Sequence, residues 1–223
     1  MIDQVTDWGL INYAEAYSRQ KTLFDQAIAE KTAGKKVTNT FVLCEHPHVI
    51  TLGKHGEFAN LLFPESFLKE KQIEFFHTDR GGDVTYHGPG QIVGYPIFDL
   101  ESFHIGLKDY IYGMEEAIIR LLNNYGIKGE HLKGASGVWI DTQIPRKARK
   151  ICAMGVKSSR FVTMHGFALN VNTDLSYFQL INPCGFKDKG VTSMANELGK
   201  QVDIEEVKAA LTEIFIKNPF QSE

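Results

Sequence analysis

The residues best suited to chemistry lie in three short runs. In RGGDVTYHGPGQ, Arg80 to Gln91, four glycines and a proline surround one arginine, one threonine and one histidine. Backbone this permissive serves places where main chain approaches a ligand closely. The second run is NPCGFKD, where Cys184 stands between a proline and a glycine. A free thiol titrates near about 8.5, so a nucleophilic cysteine needs a cation or base beside it. PRKARK, Pro145 to Lys150, is the third run and places four cations within six residues. His87 in the glycine-rich run is an alternative base, because cysteine and histidine form a common nucleophile couple. The cluster CEHPH, Cys44 to His48, invites a metal reading but lacks the paired spacings of zinc sites. Cys44 and Cys152 sit inside apolar runs and read as small buried hydrophobes.

The elements that position these residues are legible from periodicity. Tyr13, Ala16, Tyr17, Phe24, Ala27 and Ile28 recur at helical spacing, which predicts an amphipathic helix over Asn12 to Lys31, closed by Gly34. The runs FVLC, VITLG and IEFFHT predict strands, with a short helix around Glu65 to Lys71 between the last two. The glycine-rich run reads as a loop anchored by IVGYPIFDL, Ile92 to Leu100, a buried strand. Tyr110, Ile111, Met114, Ala117, Ile118, Leu121, Leu122 and Tyr125 mark a second long helix ended by Gly126. The strand-like runs GVWID, KICAMGVKSS and VTMHGFALNVN follow, and Asp203 with Glu206 predicts a capped final helix. Strands and helices do not alternate regularly, so the expected class is α+β. No linker interrupts residues 1–223, and a single domain is expected.

Composition narrows the function. The 223 residues are 43% hydrophobic and 23% charged, as in ordinary globular proteins. A net charge of -3 disfavours nonspecific nucleic-acid binding, which needs a basic footprint. No run approaches the roughly 20 apolar residues of a membrane span. The first ten residues hold two acids and no apolar core of a secretory signal. Three cysteines without CxxC spacing point to a reducing compartment, so a cytoplasmic location is expected.

RGGDVTYHGPGQ resembles the signature of the lipoyl(octanoyl) transferases of the bacterial type B family. RKICAMG, Arg149 to Gly155, and HGFALNVNTDLSYFQLINPCG, His165 to Gly185, resemble two further family segments, and EHPHVITLGK is a weaker fourth. The matches run in one order from about residue 40 to residue 195. The resemblance implies the biotin/lipoate protein ligase catalytic fold, with a mixed main sheet, a smaller sheet and flanking helices. It also implies transfer of an octanoyl or lipoyl group from acyl carrier protein to a specific lysine of a lipoyl domain, through a thioester on the enzyme. Acceptors would be the lipoyl domains of 2-oxoacid dehydrogenase complexes and the glycine cleavage H protein. No metal, nucleotide or organic cofactor is implied.

Residue by residue, the resemblance assigns the acyl-carrying thiol to Cys184 and the general base and acid to Lys150. Arg80, Gly81, Gly82, Asp83, Val84, Thr85, Tyr86 and His87 would bind substrate, with His87 placing the acyl thioester carbonyl. Ala153, Met154, Gly155, Gly166, Phe167 and Ala168 would wall an apolar slot for the acyl chain. Arg146, Lys147 and Arg149 beside Lys150 would steer acidic protein partners. Two rival readings are an ATP-dependent lipoate or biotin ligase of the same fold and a noncatalytic acyl-binding module. DRGGDVTYHGPGQ differs from the RRxSGGGxVxHDxGN pattern of lipoate ligases, and both members of the implied dyad are present.

Overall fold

The computed structural model describes residues 1–144, 146–182, 189–217 and 220. The main sheet contains β1 (Gln4–Leu10), β2 (Thr40–Glu45), β6 (Gln91–Ile97), β10 (Val162–Asn170), β9 (Arg149–Ser159), β8 (Ala135–Ile140) and β7 (Glu130–Leu132), in that spatial order. A short strand, β11 (Gly190–Val191), pairs in parallel with the start of β9. The smaller sheet holds β4 (Glu74–His77), β3 (Val49–Leu52) and β5 (Val84–His87) in that order. β1 lies parallel to β2, whereas β2, β6, β10, β9 and β8 pair antiparallel, so the main sheet is mixed. The α+β class is met.

Helices cover both faces of the main sheet. Helix α1 (Tyr13–Thr32) starts where the Asn12 side chain accepts from the Ala14 backbone N–H, supplying one of the partners that a helix start lacks. It buries Tyr13, Ala16, Gln20, Phe24 and Ala27. On the other face lie α3 (Leu107–Asn124) and α5 (Ile204–Ile216), and Asp203 caps α5 by accepting from Glu205 and Glu206. Period-two alternation divides β2 between the two layers. Phe41 and Leu43 join Tyr110, Ile118, Leu121, Leu211 and Phe215, while Val42 and Cys44 join Ile11, Ala16, Val93 and Tyr95. Each fully buried Leu or Ile in these layers contributes about 1.5–3 kcal/mol.

Two short helices, α2 (Glu65–Glu70) and α4 (Met194–Leu198), flank the sheets. The structure differs from sequence expectation in several places. The glycine-rich run is not all loop, since Val84–His87 is a strand of the smaller sheet. β1 and α4 carried no clear signal. β1 is an edge strand whose side chains are mostly exposed, so it shows no apolar alternation. Among the described residues no helix is long and apolar enough to cross a membrane.

Candidate active site

A cavity of about 120 Å³ lies where the two sheets meet. Its apolar wall includes Val93 of β6, Ala153 and Met154 of β9, and Phe167 and Ala168 of β10. These strands are hydrogen-bonded neighbours with Ala153 opposite Ala168 and Met154 opposite Phe167. The smaller sheet contributes Val84, Thr85 and His87, and Lys150 lies on the cavity near the start of β9.

Glycines bring the two sheets close enough to form this space. The Gly81 N–H donates to the Val156 carbonyl of β9 at 2.9 Å. A Cβ at Gly155 would stand 2.6 Å from the Gly81 oxygen, so the approach tolerates no side chain there. Gly82 takes φ of +91°, a region L side chains rarely occupy. Arg80 is buried, and its guanidinium donates to the carbonyls of Thr51, Gly81 and Asp83 and to the Thr51 hydroxyl. This arginine therefore clamps the loop to β3 while also lining the cavity.

Most of the predicted substrate residues line the cavity. Arg80, Gly82, Asp83, Val84, Thr85 and His87 line the cavity, as do Ala153, Met154, Gly155, Gly166, Phe167 and Ala168. Gly81 and Tyr86 do not. Tyr86 turns away from Thr85 and His87, stacks on Tyr177 at 5.0 Å and bonds His48 Nδ1 through its hydroxyl at 2.7 Å. Cys184 lies outside the described residues. The other two thiols are buried, and burial pushes both far up from the usual thiol range, which makes them poor nucleophiles.

Lys150 is placed by three strands. Its Nζ stands 4.6 Å from the centroid of the Trp139 ring on β8, and its carbonyl accepts from the Thr192 N–H just after β11 at 2.9 Å. A ring face at this distance attracts an ammonium. Arg149, the preceding residue, points elsewhere: it pairs with Asp141 at 2.5 Å and with Glu197 of α4 at 2.6 Å. Its guanidinium is thus paired with two carboxylates within the fold. Arg146 and Lys147 are exposed.

Two buried imidazoles, His87 and His165, lie on the polar side of the cavity, and His46 packs behind His87. His87 Nδ1 bonds Gln91 Oε1 at 2.8 Å, and its ring stacks on Tyr13 at 5.7 Å. Burial, with smaller effects from His46 and Arg80, lowers its pKa to about 3. His46 donates from Nδ1 to the Ile11 carbonyl and accepts at Nε2 from Tyr95, and burial lowers it to about 4. His46 thus faces Tyr95 whereas His48 faces Tyr86 and Tyr177, so the CEHPH cluster does not converge on one point. His165 of β10 donates from Nε2 to Asp79 at 2.8 Å; burial lowers its pKa, and Asp79 opposes that shift. Bonding from His165 in turn holds the Asp79 carboxyl well below the usual range.

The profile of the lipoyl protein ligase A/B catalytic domain matches residues 12–216. The chain belongs to this family. Within the family it is similar to the octanoyltransferase of Parabacteroides distasonis, at 59% identity over 211 residues that cover 95% of this chain and 96% of that one. Its fold matches solved structures at much lower identity. A bipartite lipoate protein ligase from Thermoplasma acidophilum superposes with a TM-score of 0.70 at 17% identity, covering 97% of this chain and 83% of that chain. Biotin protein ligase from Aquifex aeolicus gives 0.52 at 13%, covering 98% and 70%. The biotin/lipoate protein ligase fold expected from the sequence is therefore the one observed.

Sequence reasoning passed over several cavity residues of this family member. Gln91, Asn170, Trp139, Tyr95 and Phe178 line the cavity as well. Gln91 closes the glycine-rich run, and Asn170 closes HGFALN, so both stood at the ends of recognised motifs. Only strand register shows that they face one another.

Proposed function

We propose that this chain is an octanoyltransferase that moves an octanoyl group from acyl carrier protein to a lysine of a lipoyl domain in the cytoplasm. In the first half-reaction the Cys184 thiolate attacks the donor's thioester carbonyl. A new carbon–sulfur bond forms, the old one breaks, and the carrier thiol leaves with a proton. In the second, the acceptor lysine amine attacks the acyl-enzyme; an amide forms, and the amine's proton restores the Cys184 thiol through Lys150. The thioester already holds the free energy an amide requires, so no nucleotide enters the cycle.

The apolar wall beside Lys150 carries this reading, together with the similarity to octanoyltransferases. From Lys150 to Gly155 the strand runs about 16 Å, enough for an extended eight-carbon chain. Burial of that chain contributes about 0.8 kcal/mol per methylene. The two buried thiols favour Cys184 as the attacking cysteine.

Intact-protein mass spectrometry tests the proposal. Incubation with octanoyl acyl carrier protein should add one octanoyl mass to the wild type, labile to hydroxylamine, and none to Cys184→Ala. An adduct on the alanine variant would sink the assignment.

A further inference from the structure

An unbroken line of hydrogen bonds runs from the backbone of Lys150 to the ring of His87. The Thr192 N–H donates to the Lys150 carbonyl at 2.9 Å, and the Thr192 carbonyl accepts from Asn170 Nδ2 at 3.0 Å. Asn170 Oδ1 accepts from Gln91 Nε2 at 2.9 Å, and Gln91 Oε1 meets His87 Nδ1 at 2.8 Å. Gln91 Nε2 also donates to the Tyr86 carbonyl at 3.2 Å.

Two backbone carbonyls give this line its direction. A carbonyl oxygen only accepts, so the Thr192 carbonyl requires the amide nitrogen of Asn170 on its side, and Asn170 Oδ1 then faces Gln91. The Tyr86 carbonyl fixes Gln91 in the same sense. Gln91 Oε1 can therefore serve His87 only as an acceptor, and His87 must carry its proton on Nδ1. In a neutral imidazole the other nitrogen is then a lone pair. No described residue bonds Nε2, and His87 lines the cavity.

We propose that Gln91 and Asn170 are positioning residues that lock His87 as the Nδ1–H tautomer, so that Nε2 accepts a hydrogen bond from the attacking lysine amine and orients it toward the acyl-enzyme. This rests on the octanoyl-transfer reading above. The amine is the reactant with an N–H at the reacting atom; the acyl chain and its thioester carbonyl have no donor to offer. Tyr13 of α1, His46 after β2, Arg80 before β5 and His165 of β10 surround the ring, and burial among them keeps it neutral. Such an imidazole orients an amine without carrying its proton away, and the proton passes to Lys150 and the leaving thiolate.

Long-range proton–nitrogen NMR on the uniformly ¹⁵N-labelled full chain tests the tautomer, with His87 assigned by comparison with His87→Gln. Nδ1 should appear protonated and Nε2 unprotonated between about pH 6 and 8, where unperturbed imidazoles titrate. Gln91→Leu should release the tautomer and slow transfer from acyl-enzyme to lipoyl-domain lysine by about tenfold, the scale of one hydrogen bond. Formation of the acyl-enzyme should change far less. Gln91→Glu preserves size and sets a carboxylate against Nδ1, so transfer should gain an acid limb near neutral pH that the wild type lacks; this variant decides the matter should Gln91→Leu not fold. A wild-type His87 protonated on Nε2 overturns the relay without touching the octanoyl reading. Equal slowing of both half-reactions in Gln91→Leu, or no new limb in Gln91→Glu, overturns the role of Nε2. Failure of the wild type to form any acyl-enzyme overturns the octanoyl reading, and the role of Nε2 falls with it.

Discussion

Lys150 Nζ stands 4.6 Å from the centroid of the Trp139 ring, the residue it faces across β8 and β9. The ring's negative face attracts the ammonium, and the lysine is held on the cavity wall rather than free in solvent. Lys150→Ala should fold, because the side chain is only half-buried, but should lose about 10²–10⁴-fold of acyl transfer, the usual reach of a positioned acid or base. Alkylation of Cys184 should shift to higher pH in this variant, since removing a neighbouring cation disfavours the thiolate. Identical alkylation profiles would show that Lys150 does not tune the thiol.

The cross-strand pair Ala153 and Ala168 lies on the apolar wall of the cavity. Ala168→Leu should fill space that an eight-carbon chain needs. Each methylene excluded forfeits about 0.8 kcal/mol, so losing two should lower kcat/KM for octanoyl by about tenfold or more. A butanoyl thioester should react much as before. Equal loss with both donors would place the acyl chain elsewhere.

His46 and His87 are buried and neutral, with pKa values lowered to about 4 and about 3. In the unfolded chain each titrates near about 6.5, so between about pH 6 and 4 the unfolded state binds more protons and stability rises with pH. The stabilisation is complete above about pH 6.5 and is lost on acidification, by about 1.4 kcal/mol per pH unit for each histidine. Urea unfolding at pH 7 and pH 5 should show the fall. His46→Gln, which removes one titrating group, should reduce the slope; an unchanged slope would show that His46 is not the source.

Arg149 and its neighbours should separate by role. Arg149 joins Asp141, Glu197 and the start of β9, and Glu197 also accepts from the Thr192 hydroxyl. Arg149→Ala should lower the melting temperature and loosen the strand edge beside Lys150. Reversing exposed Arg146 and Lys147 to glutamate should leave the melting temperature alone. It should lower kcat/KM for octanoyl acyl carrier protein and flatten its salt dependence, because steering is a screened, long-range effect. A small octanoyl thioester should be unaffected, and equal loss with both donors would instead indicate damage near Lys150.

Several features of this protein are written in short stretches of its sequence. The helix over Tyr13–Thr32 and that over Leu107–Asn124 follow from apolar spacing near 3.6, and the buried strands follow from dense apolar runs between turn residues. The family and its fold were legible in the glycine-rich run, RKICAMG and HGFALN, because chemistry that needs main chain close to a ligand demands particular residues in a particular order. The tertiary structure alone decided which side chains meet. Tyr86 and His87 are adjacent in the chain, yet strand alternation sends one to the satellite core and the other to the cavity. Gln91 and Asn170 are 79 residues apart, and the antiparallel register of β6 and β10 makes them partners. Arg149 and Lys150 read as one basic run, but neighbouring strand residues face opposite ways, so one charge meets Glu197 and the other meets Trp139. Periodicity is a local property, set by backbone geometry over a few residues. Register and facing depend on every strand between, and no short window of sequence contains them.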